Sequence, residues 1–427
     1  MTMHQFPIGK NTVFDYQSDM NKNIVIVGSS GSGKTKSIVE PFLLNVDDRS
    51  LIIPVSKERI VTIYEPYLTS RGYTTSIINL TFKEKSTVCF DPMRMVENEE
   101  DAEALASAVI MAEPRKESTV ADPFWDHASI MLLTALILYV KKTEGNAASI
   151  SYVCALLKDM RIEEDCDSCF YTSLDGMFND FQKKYPDSYA LQCWNGFKVS
   201  SIKTARSIVV STVPYVLQVF KPQLLKMMNR LPAVRFEDLA DHKSVLFIVT
   251  SPADKSDSAY ASILFSYMFH HLIQYAEKQL DGALPIPVTM IFDDFACGAR
   301  VDKFYEYISM IREKEISVIL LLQSESQLEL MYGNAADVIL NNCDTYIYLG
   351  GRNARTISSM SRALNLPYST IQNMPVGRVY IVQRGRNPIA DVRYSIYDDP
   401  VYQKIEKAYN KKVFDDILSK YFEQVTL

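Results

Sequence analysis

The octapeptide Gly28-Ser29-Ser30-Gly31-Ser32-Gly33-Lys34-Thr35 constrains the fold of this chain more than any other feature. It matches G-x-x-x-x-G-K-[ST] in full, follows the apolar run Ile24-Val25-Ile26-Val27, and leads into a helical pattern over 34–45. Such a loop works only between a buried strand and a helix, where its glycines let backbone N–H groups approach phosphate at the positive end of the helix dipole. The expected ligands are ATP and Mg²⁺, with Lys34 on the β- and γ-phosphates and Thr35 on the metal.

A sheet to carry the loop is legible along the chain. Short runs rich in Val, Ile, Leu and Tyr at 23–27, 50–54, 75–79, 244–250, 288–293, 317–323, 345–349 and 378–383 read as strands buried on both faces. Helical patterns lie between most of them, at 34–45, 256–280, 303–315, 324–332 and 356–364. That alternation predicts an α/β, doubly wound, mostly parallel sheet. From 98 to 206 the rhythm stops and only helical periodicity is found, at 100–112, 124–142, 149–157, 173–184 and 188–210. The expected organisation is a nucleotide-binding domain in two parts, 1–97 and 207–427, around an inserted all-α domain, 98–206. A C-terminal amphipathic segment, 401–422, carries Ile405, Ala408, Val413, Ile417 and Tyr421 on one side, for packing on the core or docking a neighbour.

A Mg²⁺ site needs a carboxylate at the end of a neighbouring buried strand, and Val288-Thr289-Met290-Ile291-Phe292 ends in Asp293. The next residue, Asp294, stands where translocating ATPases carry a glutamate that orients the attacking water. It is one methylene shorter, and a misplacement of about 1 Å can cost on the order of 10²-fold in rate. The bland alternative is that both aspartates cap the following segment. Gln323, leaving the next buried strand, is a γ-phosphate sensor or part of a helix cap with Ser324. Arg312 is an arginine finger for a neighbour's ATP or a solvated charge.

Composition excludes several classes. The net charge of −6 differs from that of a lysine-coated nucleic-acid binder, so any DNA contact must be a local basic patch. Seven cysteines include one C-x-x-C pair, Cys166 and Cys169, with no second ligand pair, which favours reduced thiols in a reducing compartment over a metal site. The five histidines have no metal-ligand spacing. The apolar run 130–140 is about half of the roughly 20 residues a membrane span needs, and the first 23 residues lack a signal-peptide core.

Five blocks together resemble the type IV coupling proteins, the TraG-like ATPases of conjugation and type IV secretion. They are Ile8-Gly9-Lys10-Asn11-Thr12 with the phosphate loop; Asp122-Pro123-Phe124-Trp125-Asp126-His127-Ala128; Lys203-Thr204-Ala205-Arg206-Ser207-Ile208; Phe292-Asp293-Asp294-Phe295-Ala296 with 311–317 and 323–328; and Asn342-Cys343-Asp344 with Leu349-Gly350-Gly351. The resemblance implies a RecA-like motor with an inserted helical domain, assembled as a homo-hexamer at the inner face of the cell membrane. It implies single- or double-stranded DNA, a relaxase or other secretion substrate, and a membrane component of the secretion system as partners. Gln323 then falls in the family's glutamine motif, and Arg312 becomes the stronger finger candidate. This sequence departs from the pattern at Val55-Ser56-Lys57-Glu58-Arg59, which keeps only the lysine, at Asp294, and in showing no N-terminal membrane helices. Two readings stay open: an ATP-driven coupling motor, and an ATP-binding docking protein that hydrolyses weakly. A P-loop small-molecule kinase is disfavoured by the glutamine block and the lack of an arginine-rich lid.

Overall fold

A computed structural model of the chain describes residues 4–18, 20–112, 123–164, 170–251, 255–295 and 299–425. They fall into two units, one of Met1–Thr81, Arg235–Ala253 and Leu272–Leu427, the other of Phe82–Val234 and Asp254–His271.

The first unit opens with a hairpin of β1 (Gln5–Pro7) and β2 (Val13–Asp15), followed by β3 (Ile24–Val27), β4 (Ser50–Val55) and β5 (Thr74–Asn79). The second unit holds β6 (Ile162–Glu164) and β7 (Phe170–Thr172). The first unit then resumes with β8 (Ser244–Val249), β9 (Val288–Phe292), β10 (Ile316–Leu322), β11 (Thr345–Tyr348), β12 (Arg378–Gln383) and β13 (Ile389–Val392). Nine of these strands form one sheet in the order β13-β12-β11-β3-β10-β9-β4-β8-β5. From β11 to β5 every pairing is parallel, while β12 and β13 extend one edge antiparallel.

Burial explains the strand sequences. Every residue of β3, β4, β8, β9 and β10 is buried, as continuous aliphatic runs require when helices cover both faces. Burying each Ile, Val or Leu contributes about 1.5–3 kcal/mol relative to exposure. All of the runs expected as strands lie in this sheet. β13 was not among them, because its four residues alternate in exposure at the sheet edge and leave no apolar run.

The N-terminal block is fastened to that edge. Asp391 of β13 accepts hydrogen bonds from the Asn11 backbone N–H (2.9 Å), Asn11 Nδ2 (3.1 Å) and the Thr12 hydroxyl (2.8 Å). A Cβ on Gly9 would lie 2.5 Å from Asp391 Oδ2, so any larger residue there would displace the carboxylate that the block holds. Asn23 does similar work at the start of β3: its Nδ2 donates to the Asn342 carbonyl and its Oδ1 accepts from Val318 N, each at 3.0 Å.

The second unit is built on helix Pro123–Glu144, which buries Leu132, Leu133, Leu136, Ile137 and Val140. With the short turn after it, this helix reaches 25 residues, long and apolar enough to cross a bilayer, but 61% of its most apolar window is already buried within the protein. Phe178 and Trp194 stack at 4.0 Å between ring centroids, one layer of this core. The unit differs from the all-α expectation in one feature, and one expected helix is two. β6 and β7 form a small antiparallel pair, too short to leave a periodic signal. The pattern at 188–210 divides into Tyr189–Lys198 and Ile202–Val219, because Ser201 caps the second helix by accepting from Thr204 N. The unit is also wider than 98–206. Cys89 and Ala233 form a bridge, with Cys89 N on the Pro232 carbonyl (2.9 Å) and Val234 N on the Cys89 carbonyl (2.7 Å), which closes entering and leaving chain together.

The C-terminal helix, Pro400–Val425, packs its first turns on the sheet unit through Tyr402, Ile405 and Tyr409. Ala408, expected on that face, is exposed, since the i, i+3, i+7 positions from Tyr402 define the contact. The side chains of Ile417 and Tyr421 lie outside the described residues, as do Cys166, Cys169, Asp122 and Ala296. Four other cysteines are buried free thiols, and among the described residues no cluster has metal-ligating composition.

Candidate nucleotide site

The loop 28–35 leaves β3 at the C-terminal edge of the parallel sheet, where open α/β sheets bind ligands. Gly28 N donates to the Leu322 carbonyl (3.1 Å) and Ser29 N to the Gly350 carbonyl (2.9 Å), so the loop is moored to the ends of both neighbouring strands. Gly31 and Gly33 adopt φ of +77° and +89°, conformations that favour glycine. Gly28 is needed for a different reason: a Cβ there would lie 2.5 Å from Ser32 Oγ. Lys34 is buried, with Nζ donating to the Gly28 carbonyl at 2.6 Å and to the Ser29 carbonyl at 3.3 Å.

Behind the loop the helix does not start as a regular α-helix. Thr35–Val39 is a π turn, with Glu40 N–H reaching the Thr35 carbonyl, and the α-helix proper is Glu40–Asn45. Pro41 accounts for the change. It has no N–H to give and its ring crowds the carbonyl four residues back, so the preceding turn widens.

Asp293 follows β9, with β10 alone between β9 and the loop's own strand. Its Oδ1 accepts from the Thr35 hydroxyl at 3.2 Å. Its Oδ2 is enclosed without a hydrogen-bond partner among the described residues, and so is Ser32 Oγ. Burial raises the Asp293 carboxyl above the ordinary aspartate range, and the charge of Asp294 adds to this; Lys57, the Thr35 hydroxyl and Lys34 oppose it. Asp294 stands at φ +58°, in the left-handed region that aspartate tolerates better than most residues.

Gln323 follows β10, the strand between those that carry the loop and Asp293, with its backbone N–H on Gln327 Oε1 at 3.2 Å. Ser324 makes no side-chain capping bond to the following helix Glu325–Tyr332. Arg312 is placed elsewhere. It lies in the turn Ile311–Lys314 that leads into the start of β10, the edge of the sheet opposite the loop.

Three groups near the loop escape motif reading. Lys57, after β4, acts electrostatically on Asp293. Arg393, after β13, donates from Nη1 to the Ser32 carbonyl. Glu40, 1% exposed, binds Lys36 (3.1 Å), Arg59 (3.2 Å) and the Tyr64 hydroxyl (2.8 Å), tying the helix behind the loop to its surroundings. The retained lysine of the departed block at 55–59 was the one available signal for Lys57; Arg393 and Glu40 are recognised only once the chain is folded.

The geometry fits a magnesium nucleotide: a glycine cradle at a helix start, a buried ammonium, and a hydroxyl–carboxylate pair that keeps one buried oxygen unsatisfied among the described residues. Fold and site thus define a P-loop nucleotide-binding α/β protein. The chain belongs to the Type IV secretory system Conjugative DNA transfer family, whose pattern it matches over residues 2–373. Its RecA-like fold is shared with the bacterial conjugative coupling protein TrwBdeltaN70 in complex with sulphate (TM-score 0.62, 16% identity, covering 88% of this chain and 86% of that one). The plasmid coupling protein TrwB in complex with ADP and Mg²⁺ is similar at TM-score 0.59 and 16% identity, with the same coverage. VirB4 of Thermoanaerobacter pseudethanolicus matches at TM-score 0.55 and 11% identity over 93% of this chain and 97% of that one. No curated protein sequence matches the chain.

Proposed function

We propose that this chain is an ATP-dependent coupling protein that delivers conjugative DNA, relaxase-bound, or a protein substrate to a type IV secretion channel. The observation that carries the ATPase part is the Thr35–Asp293 pair beneath the loop, with the Asp293 Oδ2 left unsatisfied among the described residues. In this reading Thr35 and Asp293 hold Mg²⁺, which supplies charge neutralisation at the transferred phosphoryl group. Residues 28–34 bind the phosphates through backbone N–H groups and the Lys34 ammonium. Asp294 orients the attacking water, and Gln323, which follows the strand between those of loop and carboxylates, senses the γ-phosphate. Arg312 serves a neighbouring copy in a homo-hexamer, since it lies at the sheet edge away from its own loop. The working place is cytoplasmic, at the inner face of the membrane, against a membrane component of the secretion system. DNA-stimulated ATP hydrolysis by the purified chain, measured with single- and double-stranded DNA, tests this. Hydrolysis that neither DNA alters would remove the motor assignment.

The second reading, a docking protein that binds ATP and hydrolyses it weakly, is favoured by the changed block Val55-Ser56-Lys57-Glu58-Arg59 and by Asp294 in place of glutamate. Asp294→Glu separates the two. A large gain in turnover supports a site tuned down for docking, while no gain supports Asp294 as sufficient.

A further inference from the structure

A cavity of about 360 Å³ adjoins the phosphate loop on the side of Gly31, Gly33, Lys36 and Ser37. Its other wall is the chain leaving β13, Val392 to Tyr397, with Gly377 below. The size lies within the ~300–1,000 Å³ of small-molecule sites. Arg393 closes the end nearest the loop; a Cβ on Gly33 would sit 2.5 Å from its Nη1. Tyr397 forms the far side. The residue is 56% exposed, yet its ring is braced edge-on against Tyr402 at 5.8 Å, with the Lys36 ammonium 5.4 Å from its centroid.

We infer that this cavity takes the ribose and purine of the bound nucleotide, with the Tyr397 ring as the stacking surface. The inference rests on residues 28–35 holding the phosphates. A nucleotide whose phosphates lie along that loop must send its nucleoside past the first residues of the following helix, and Lys36 and Ser37 are those residues. The residue is exposed and its ring is braced, which leaves an aromatic face available at little ordering cost. Val392 and Ile396 supply apolar walls, and Arg393, already on the Ser32 carbonyl, is the cation beside the junction of phosphate and sugar. The ligand class is a purine nucleoside polyphosphate, held at one end by charge and at the other by stacking.

Affinities of the full chain for MgATP and for inorganic tripolyphosphate, which has the phosphates but no nucleoside, test it. Tyr397→Ala is expected to weaken MgATP about 5- to 150-fold, the range for loss of one base–aromatic stack, and to leave tripolyphosphate unchanged. Tyr397→Phe, which keeps the ring, is expected to bind both as the unaltered chain does. Equal weakening of both ligands by Tyr397→Ala, or no weakening of either, overturns the nucleoside pocket while leaving the loop's role standing. Failure of the unaltered chain to bind either ligand overturns both.

Discussion

A buried carboxylate beside a second carboxylate is an arrangement that stability alone disfavours, and Asp293 with Asp294 is such a pair. Burial and the neighbouring charge both raise Asp293. Asp294 is turned into the left-handed region, a cost that surrounding structure must hold in place. The account therefore assigns these residues to chemistry, and Asp294→Asn checks it. That change keeps the size and the backbone preference, so nucleotide affinity should stay near that of the unaltered chain while turnover falls about 10²- to 10⁴-fold. Unchanged turnover would make Asp294 a turn residue only. At this scale the phosphate loop was fully legible in the sequence, because its glycines are demanded by local backbone geometry. Lys57 and Arg393 were much less so, since their proximity to Asp293 and Ser32 depends on chain remote in sequence.

Single elements show where patterning succeeds and fails. β3, β4, β8, β9 and β10 are buried on both faces, so their apolar runs announced them. β13 and the β6–β7 pair are short and partly exposed, and the break at Ser201 depends on a cap within a continuous helical pattern. The N-terminal block was visible only as a motif; its physical role is to satisfy Asp391. Burial pushes that carboxyl up, but hydrogen bonds from Asn11, Thr12 and Val392 outweigh it and hold it below its ordinary 3.8. A lowered folded value contributes stability that is present above the unfolded value and is lost as pH falls through the folded one. Unfolding followed from pH 7 down to pH 3 should thus show a loss that Asp391→Asn removes; parallel curves would contradict the assignment. The network behind the loop makes a second element-scale prediction. Arg59, on helix Glu58–Ser70, donates to Glu40 and to the Tyr402 hydroxyl (2.9 Å), joining three helices, so Arg59→Ala should lower stability by about 1–3 kcal/mol in denaturant unfolding. An unaltered midpoint would show the network to be inert.

At the scale of the whole molecule, the sheet unit carries its phosphate loop at one edge and Arg312 at the other. One copy cannot bring the two together across its own sheet, so an arginine finger here acts only between copies. Arg312→Ala and Lys34→Ala should each be inactive alone yet regain part of the turnover when mixed, because a mixed assembly pairs an intact loop with an intact finger. No recovery on mixing would assign Arg312 to the solvated surface. The division into a sheet unit and a helix-rich unit was legible because strand and helix periods differ. Its boundaries were not, since the turns before residue 98 and the helices after 206 pack with the helical unit for reasons no local pattern records. Everything rests on the loop at 28–35, and calorimetric titration of MgATP into the full chain and into Lys34→Ala tests it most directly. The account predicts saturable one-site binding that weakens at least about tenfold on loss of the charge-assisted contacts of Lys34. Absent binding, or equal binding by both proteins, would contradict it.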